Sequence, residues 1–375
     1  APKNFEKKMR KHKGIDNVFL WTVFGWMFMG FLILASASIG LLAKKNGADF
    51  SSVVFYQVLY SLVGCVGLYI FAFKADYHLL KKFALPLFLF GLIASVLVFL
   101  PGIGFSHGGA SRWINIGSIF FQPSEFLKLG LVVYLAAWIS SRKKNIHDFK
   151  TGFLPFAGIV GVSGFLLVLQ RDMGTLGIMT ISCVILFFLG GGKLKHLLVG
   201  LVAIVVIFFS LVYFEPYRMK RIVVFLDPSY DPQGAGYQLK QSLIAIGTGG
   251  IIGKGFGMSA QKFVYLPEST SDSVFAVFAE EFGFVGGVFL ISFFLFFLYK
   301  GLSISIRAPD DFGRLLGSGI VVLIIVQSLT NVAAMVGIFP LTGVPLIFIS
   351  KGGSSLIATL IEAGVLLNIS KYARI

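Results

Sequence analysis

The sequence predicts an all-α polytopic membrane protein of about ten transmembrane helices, and three observations lead there. Hydrophobic residues fill 56% of the 375 positions and charged ones only 13%, where a soluble domain carries about 25% charged residues. The apolar residues fall in runs of about twenty, the length a helix needs to cross a bilayer. One interval breaks the pattern, residues 215–271, where Arg, Lys, Asp, Glu, Gln, Gly and Pro collect between two apolar runs. The runs consume most of the chain, so a single membrane domain is expected over residues 1–375, with residues 215–271 as a large loop inside it.

The helices are assigned in order. Residues 1–15 are basic and too polar to insert. The run that follows, to about Ala43, is too long for a signal-peptide core and lacks a small-residue cleavage site, so it is read as a first transmembrane helix. Further spans are expected at residues 52–73, 83–101, 123–140, 153–170, 173–190, 195–214, 272–299, 314–338 and 345–369. Orientation follows from Lys and Arg, which favour the cytoplasmic side. With the N-terminus inside, the inner segments hold Lys7, Lys8, Arg10, Lys11, Lys13, Lys74, Lys81, Lys82, Arg142, Lys143, Lys144, Lys193, Lys195, Lys300, Arg307, Arg314, Lys371 and Arg374. The short outer loops hold only Lys44, Lys45, Arg112 and Arg171. Both termini are therefore expected in the cytoplasm, with the long loop between helices 7 and 8 facing outward.

The net charge of +15 would suggest nucleic acid for a soluble protein. In a membrane protein it marks cytoplasmic loops and acidic lipid headgroups, so membrane lipids and no nucleic acid are expected as partners. Cys65 and Cys183 both lie inside apolar runs, where packing is the simplest role.

The long loop carries Arg218, Lys220, Arg221, Lys240, Lys254 and Lys262 against the charge rule. Either these serve an anionic ligand, or the loop crosses regardless of charge, as long loops do. Within it, Gly236–Ile246 places Leu239, Leu243 and Ile246 on one side and Gln238, Lys240 and Gln241 on the other, the pattern of a short interfacial helix. The following GTGGIIGKGFG could cradle a phosphate or act as a hinge. It is not a P-loop, because Lys254 has the wrong spacing and no Ser or Thr follows it.

Three stretches taken together resemble a known family. They are GASRWINIGSIFFQPSEFLKL (Gly109–Leu129), the interval Phe225–Phe284 with its GYQLKQSL and SAQKFVYLPESTSDSVF segments, and TNVAAMVGIFPLTGVPLIFISKGGSS (Thr330–Ser355). They are similar to the signature blocks of the SEDS family, the shape, elongation, division and sporulation group of bacterial cell-wall polymerases. The wording is closer to the branch serving cell division than to the one serving elongation. The resemblance covers nearly the whole chain.

It implies peptidoglycan glycosyl transfer, with lipid II polymerised at the outer face of the cytoplasmic membrane. A growing glycan on its polyprenyl pyrophosphate would be the donor and a second lipid II the acceptor. The α-linked donor and β-linked product require one inversion, so one carboxylate must act as general base. The pyrophosphate leaves readily once Lys, Arg or a divalent cation neutralises it. The sequence offers no dedicated metal cluster, and a Mg or Mn ion held by substrate phosphates would need few protein ligands. The partners implied are a class B penicillin-binding protein with transpeptidase activity and other divisome proteins. The competing readings are a lipid II flippase, which the same intramembrane charges would serve, and a non-catalytic scaffold for a transpeptidase.

Residue by residue, the resemblance places the catalytic base at Asp272 in PESTSDSVF; a helix N-cap is the plain structural role for an Asp there. Glu268 is the second carboxylate, or a solvated loop residue. Glu280 and Glu281 lie two turns into the eighth helix, where they either line a polar cavity or pair with a buried Lys. Lys128, with Glu125 one turn earlier, is the natural partner. Arg112 suits bidentate phosphate binding and with Lys128 could hold the pyrophosphate, or it ties two loops together. Arg218, Lys240, Lys254 and Lys262 complete the candidate ligand contacts. Lys351, Ser273 with Val274, and Arg171 depart from the family's usual residues, which affects local geometry more than reaction class.

Overall fold

The computed structural model describes residues 14–43, 47–107, 110–117, 119–200, 202, 216–263 and 265–373. Twelve α-helices can be followed through these residues. They are α1 (Asn17–Ala43), α2 (Gly47–Tyr69), α3 (Tyr77–Lys82), α4 (Ala84–Leu97), α5 (Pro123–Ser141) and α6 (Leu154–Leu169), then α7 (Met173–Leu189), α8 (Pro216–Leu226), α9 (Ala235–Gly249), α10 (Val274–Ile306), α11 (Asp311–Met335) and α12 (Gly353–Tyr372). Seven segments are long and apolar enough to cross a membrane, including a π-turn extension before α6, and α4 and α7 are shorter apolar helices. The expected span at 195–214 lies mostly outside the described residues, and its described part, residues 195–200 and 202, is helical. A multi-pass membrane protein follows from these lengths.

Helix ends follow local chemistry. Pro123 occupies the first turn of α5, where its missing N–H costs nothing. Asp172 caps α7 by accepting from Thr175 N, and Asp310 caps α11 by accepting from Gly313 N. The most buried spans are α11 and α12. Helix α12 packs closely on α2, where a Cβ on Gly364 would come within 2.7 Å of the Leu68 carbonyl oxygen, so the glycine sets how near the two backbones run.

Two features depart from the expected plain bundle. Residues between α4 and α5 form a three-stranded antiparallel sheet, β1 (Gly104–His107), β2 (Ala110–Ile116) and β3 (Ile119–Phe121). Phe105 pairs with Trp113 and Ser106 with Ser111, so Arg112 is the extra residue of a β-bulge. The expected last span, 345–369, is a correction. Only Gly353–Tyr372 is helical, and the run before it, with Pro340 and Pro345, is irregular chain whose Val344, Leu346, Ile347, Phe348 and Ile349 are all buried. Hydropathy alone cannot separate a buried loop from a helix, and proline removes the backbone donors a helix needs.

Helix α10 is also broken. Gly283 has φ 66° and ψ −162° in its interior. The broken turn is completed by the glycine-rich segment after α9: Lys254 N and Gly255 N donate to the Glu280 and Glu281 carbonyls, while Phe284 N and Val285 N donate to Gly250 and Ile251 carbonyls. A Cβ on Gly253 would lie 2.2 Å from the Glu281 carbonyl oxygen. Close backbone approach to α10, rather than a phosphate cradle, explains the glycines here.

Candidate active site

Five separate stretches meet at the end of the bundle where α10 begins. They are the bulge of β2, the turn Gln170–Asp172 between α6 and α7, helix α8, residues 267–273, and the irregular chain between α11 and α12. Asn331 of α11 ties two of them, donating from Nδ2 to the Asp272 carbonyl at 2.9 Å and to the Val344 carbonyl at 2.8 Å. Ser350 Oγ donates to the Ser271 carbonyl at 2.6 Å, and Lys351 N donates to the Thr270 carbonyl at 2.8 Å. The segment that carries Asp272 is thus strapped to the buried loop from both sides.

Asp272 itself is half-buried. It does not cap α10: the N-cap position is Ser273, whose side chain makes no capping bond. The Asp272 carboxylate accepts no hydrogen bond among the described residues, yet Arg112 stands beside it. A Cβ built on Gly343 would lie 3.4 Å from Asp272 Oδ2 and 3.7 Å from Arg112 Nη1, so both side chains converge on that glycine, whose φ is +70°. Burial, followed by the charge of Glu268, raises the Asp272 pKa; Arg112 and Arg221 draw it down and Asp172 adds to the rise, leaving it at about 6. A carboxylate poised there is ionised at neutral pH and still basic enough to take a proton.

Arg112 is oriented by the turn beyond α6. Its Nη2 donates to the Arg171 carbonyl at 2.7 Å and its Nε lies 3.6 Å from Asp172 Oδ1. Arg171 takes a left-handed φ of 57° to present that carbonyl. Arg221 of α8 donates from Nη1 to the Leu341 carbonyl at 2.7 Å. Glu268, exposed and with φ 49°, accepts from Ser271 Oγ at 2.5 Å.

Three of the lysines expected at the ligand, Lys128, Lys254 and Lys262, are paired with carboxylates of the chain. Lys128 donates to Glu125 at 3.0 Å and also to Gln327, with Lys128 and Glu125 both buried inside α5. It does not pair with Glu280 or Glu281. Glu280 takes Lys254 at 2.6 Å together with Ser259 Oγ and the Ala260 and Gln261 N–H groups. Glu281 takes Lys262 at 2.7 Å and Ser36 Oγ of α1 at 2.7 Å, and Lys262 is only 1% exposed. Burying such charges is tolerated only when each is matched, which the two lysines accomplish. No polar cavity is needed to explain the two glutamates. Lys240 is exposed on α9 with no hydrogen bond or ion pair among the described residues. Arg218 lies in α8, and its side chain falls outside the described residues.

Arg221 was marked from sequence only as one of the loop's basic residues that either serve an anionic ligand or cross regardless of charge, while Asp172, Asn331 and Gly343 were not singled out as site residues. Asn331 did carry a signal, a polar amide within an apolar helix. Asp172 and Gly343 are recognised only by where the chain brings them. Among the described residues no group of three or more His, Cys, Asp or Glu stands together to hold a metal ion.

Known proteins resemble this one over nearly the whole chain. The model of the cell cycle protein family FtsW/RodA/SpoVE matches residues 16–375. A probable peptidoglycan glycosyltransferase FtsW from Geobacter sp. (strain M18) is 41% identical, over 98% of this chain and 99% of its own. Stage V sporulation protein E of Bacillus subtilis (strain 168) is 39% identical, over 85% of this chain and 87% of its own. A chain from a peptidoglycan synthase complex, studied for its structural coordination of polymerization and crosslinking, superposes with a TM-score of 0.73 at 28% identity, covering 92% of this chain and 97% of that one. The rod shape determining protein RodA of Thermus thermophilus superposes with a TM-score of 0.69 at 26% identity, covering 95% of this chain and 96% of that one. On a family match from residue 16 to the last residue, this chain belongs to the FtsW/RodA/SpoVE family of cell cycle proteins.

Proposed function

We propose that this protein is a peptidoglycan glycosyltransferase that polymerises lipid II in cell division, with Asp272 as the general base. The observation that carries the chemistry is the convergence of a carboxylate free of hydrogen bonds among the described residues with the Arg112 guanidinium at Gly343. Polymerisation by one inversion needs a base on the acceptor hydroxyl and cations on the departing pyrophosphate. Asp272 supplies the first, and Arg112 with Arg221 supplies the second. Glu268 keeps the basicity of Asp272 high without holding it by a hydrogen bond. The names of relatives such as the Geobacter FtsW support the reaction class.

In this reading the Asp272 end of the bundle faces outward from the bacterial cytoplasmic membrane and both termini lie in the cytoplasm, as the distribution of Lys and Arg indicates. The likeness to a chain from a synthase complex that joins polymerization to crosslinking supports a crosslinking partner, a class B penicillin-binding protein. The test is glycan synthesis from lipid II by the purified protein with such a partner. Asp272→Ala is expected to lower the rate by about 10²–10⁴-fold, the usual contribution of a general base. Full activity in that variant would sink Asp272 as the base. A wild-type protein that moves lipid II across vesicles without polymerising it would sink the reaction class.

A further inference from the structure

We propose that the cavity at the end of the bundle opposite Asp272 binds the phosphate-bearing headgroup of an anionic membrane phospholipid, with Arg307 as its principal contact. The cavity encloses about 1130 Å³ between the start of α1, the far end of α10, the turn into α11 and the end of α12. Volumes of about 300–1,000 Å³ hold small ligands, so a headgroup and its glycerol fit. All four helices are long enough to cross the membrane, which puts their ends at headgroup level.

The charges inside are unevenly committed. Three aspartates line the cavity, and each is already met by the chain. Asp16 accepts from Phe19 N at 2.9 Å and lies 3.5 Å from Lys300. Asp310 accepts from the Tyr77 hydroxyl and from Gly313 N. Asp311 accepts from both Lys143 and Arg314, each at 2.9 Å, so two cations share one carboxylate. Arg307 is exposed, and its guanidinium has no hydrogen bond or ion pair among the described residues. With Lys143 and Lys300 counted, four cations stand against the three aspartates, which leaves Arg307 as the uncommitted charge among the described residues, and a guanidinium matches a phosphate in geometry and charge.

The remaining lining selects the source of that phosphate. Ile15, Ile304 and Ile306 also face the cavity, and Ile306 is 69% exposed. Apolar side chains beside an arginine suit a molecule with a phosphate at one end and acyl chains at the other. An inorganic phosphate or an acidic peptide gains nothing from them. The inference needs the chain to sit in a membrane but makes no use of Asp272 or of lipid II.

The experiment places the full chain in vesicles of mixed phosphatidylglycerol and phosphatidylcholine, extracts it gently, and measures retained lipid by native mass spectrometry. Wild type is expected to keep phosphatidylglycerol in preference to phosphatidylcholine. Arg307→Ala is expected to lower the retained fraction about tenfold, the loss of one charge-assisted hydrogen bond. Arg307→Lys should recover part of it, and Lys144→Ala, which alters an exposed lysine elsewhere, should leave it unchanged. Equal retention in wild type and Arg307→Ala overturns the proposal. Displacement of the lipid by inorganic phosphate overturns it in favour of a soluble phosphate, and displacement by a polyglutamate peptide overturns it in favour of an acidic protein segment. Glycan synthesis is not read in this assay, so its failure leaves the polymerase reading standing.

Discussion

Asp272 and the Glu280–Glu281 pair lie eight and nine residues apart, yet the chain treats their carboxylates in opposite ways. Each glutamate is surrounded by donors: Lys254, Ser259 and two backbone N–H groups for Glu280, Lys262 and Ser36 for Glu281. Asp272 accepts no hydrogen bond among the described residues and sits beside a like charge, Glu268, with Arg112 and Arg221 near. A carboxylate whose acceptor capacity is filled holds helices together and is a poor base. One that is crowded by protein but left unfilled is less stable as an anion and more ready to take a proton. The difference separates structural from chemical charge within one short segment.

The sharpest way to break this comparison is to take away one structural partner. Lys262→Met leaves Glu281 buried with only Ser36 to meet it, and is expected to destabilise the protein by about 3–5 kcal/mol. Thermal unfolding in detergent would measure it. Adding Glu281→Leu to that variant should recover much of the loss, since an apolar pair is tolerated where a lone charge is not. If Lys262→Met melts like wild type, the pair does not hold the loop to α10 and α1.

Removing Asp272 should act in the other direction on stability. Its pKa of about 6 is above the ordinary Asp value of 3.8, so the folded state binds the proton more tightly than the unfolded one. Stability therefore falls as pH rises from about 3.8 through about 6, and the penalty is complete above that. Asp272→Asn is expected to be more stable than wild type at pH 8 by about 1–3 kcal/mol, with the gap closing below pH 4, while remaining inactive. Melting curves across pH would check this, and an unchanged or lowered midpoint at pH 8 would count against it.

The smallest effect is expected from Glu268→Gln. Removing its charge lowers the Asp272 pKa, so the acid limb of the glycan synthesis profile, near pH 6, should move to lower pH by less than about one unit. A profile that stays fixed would show that Glu268 does not sense Asp272.

Much of this was legible in the residues. The runs of apolar side chains marked the spans, and the Ser-Asp-Ser-Val-Phe junction placed Asp272 at a helix start, two residues before the structure begins α10. The lysine partners expected for Glu280 and Glu281 exist, but as the exposed Lys254 and the buried Lys262 rather than Lys128. Spacing along one helix can say which way a carboxylate points, not which distant lysine arrives there. The β-bulge at Arg112 and the buried loop around Gly343 were illegible for a related reason. Short strands and proline-interrupted apolar chain give no periodicity of their own, and their conformation is set by what packs over them.

What the sequence determined by itself was the membrane architecture, because hydropathy and length answer to the bilayer alone, and the reaction class, through motifs spread along the whole chain. Only the tertiary structure decided which charges are partners and that the Asp272 carboxylate accepts no hydrogen bond among the described residues. That depends on contacts between residues as far apart as Ser36 and Glu281 or Arg112 and Asp272. Satisfaction of a buried charge is a property of three-dimensional neighbours, which no local pattern records.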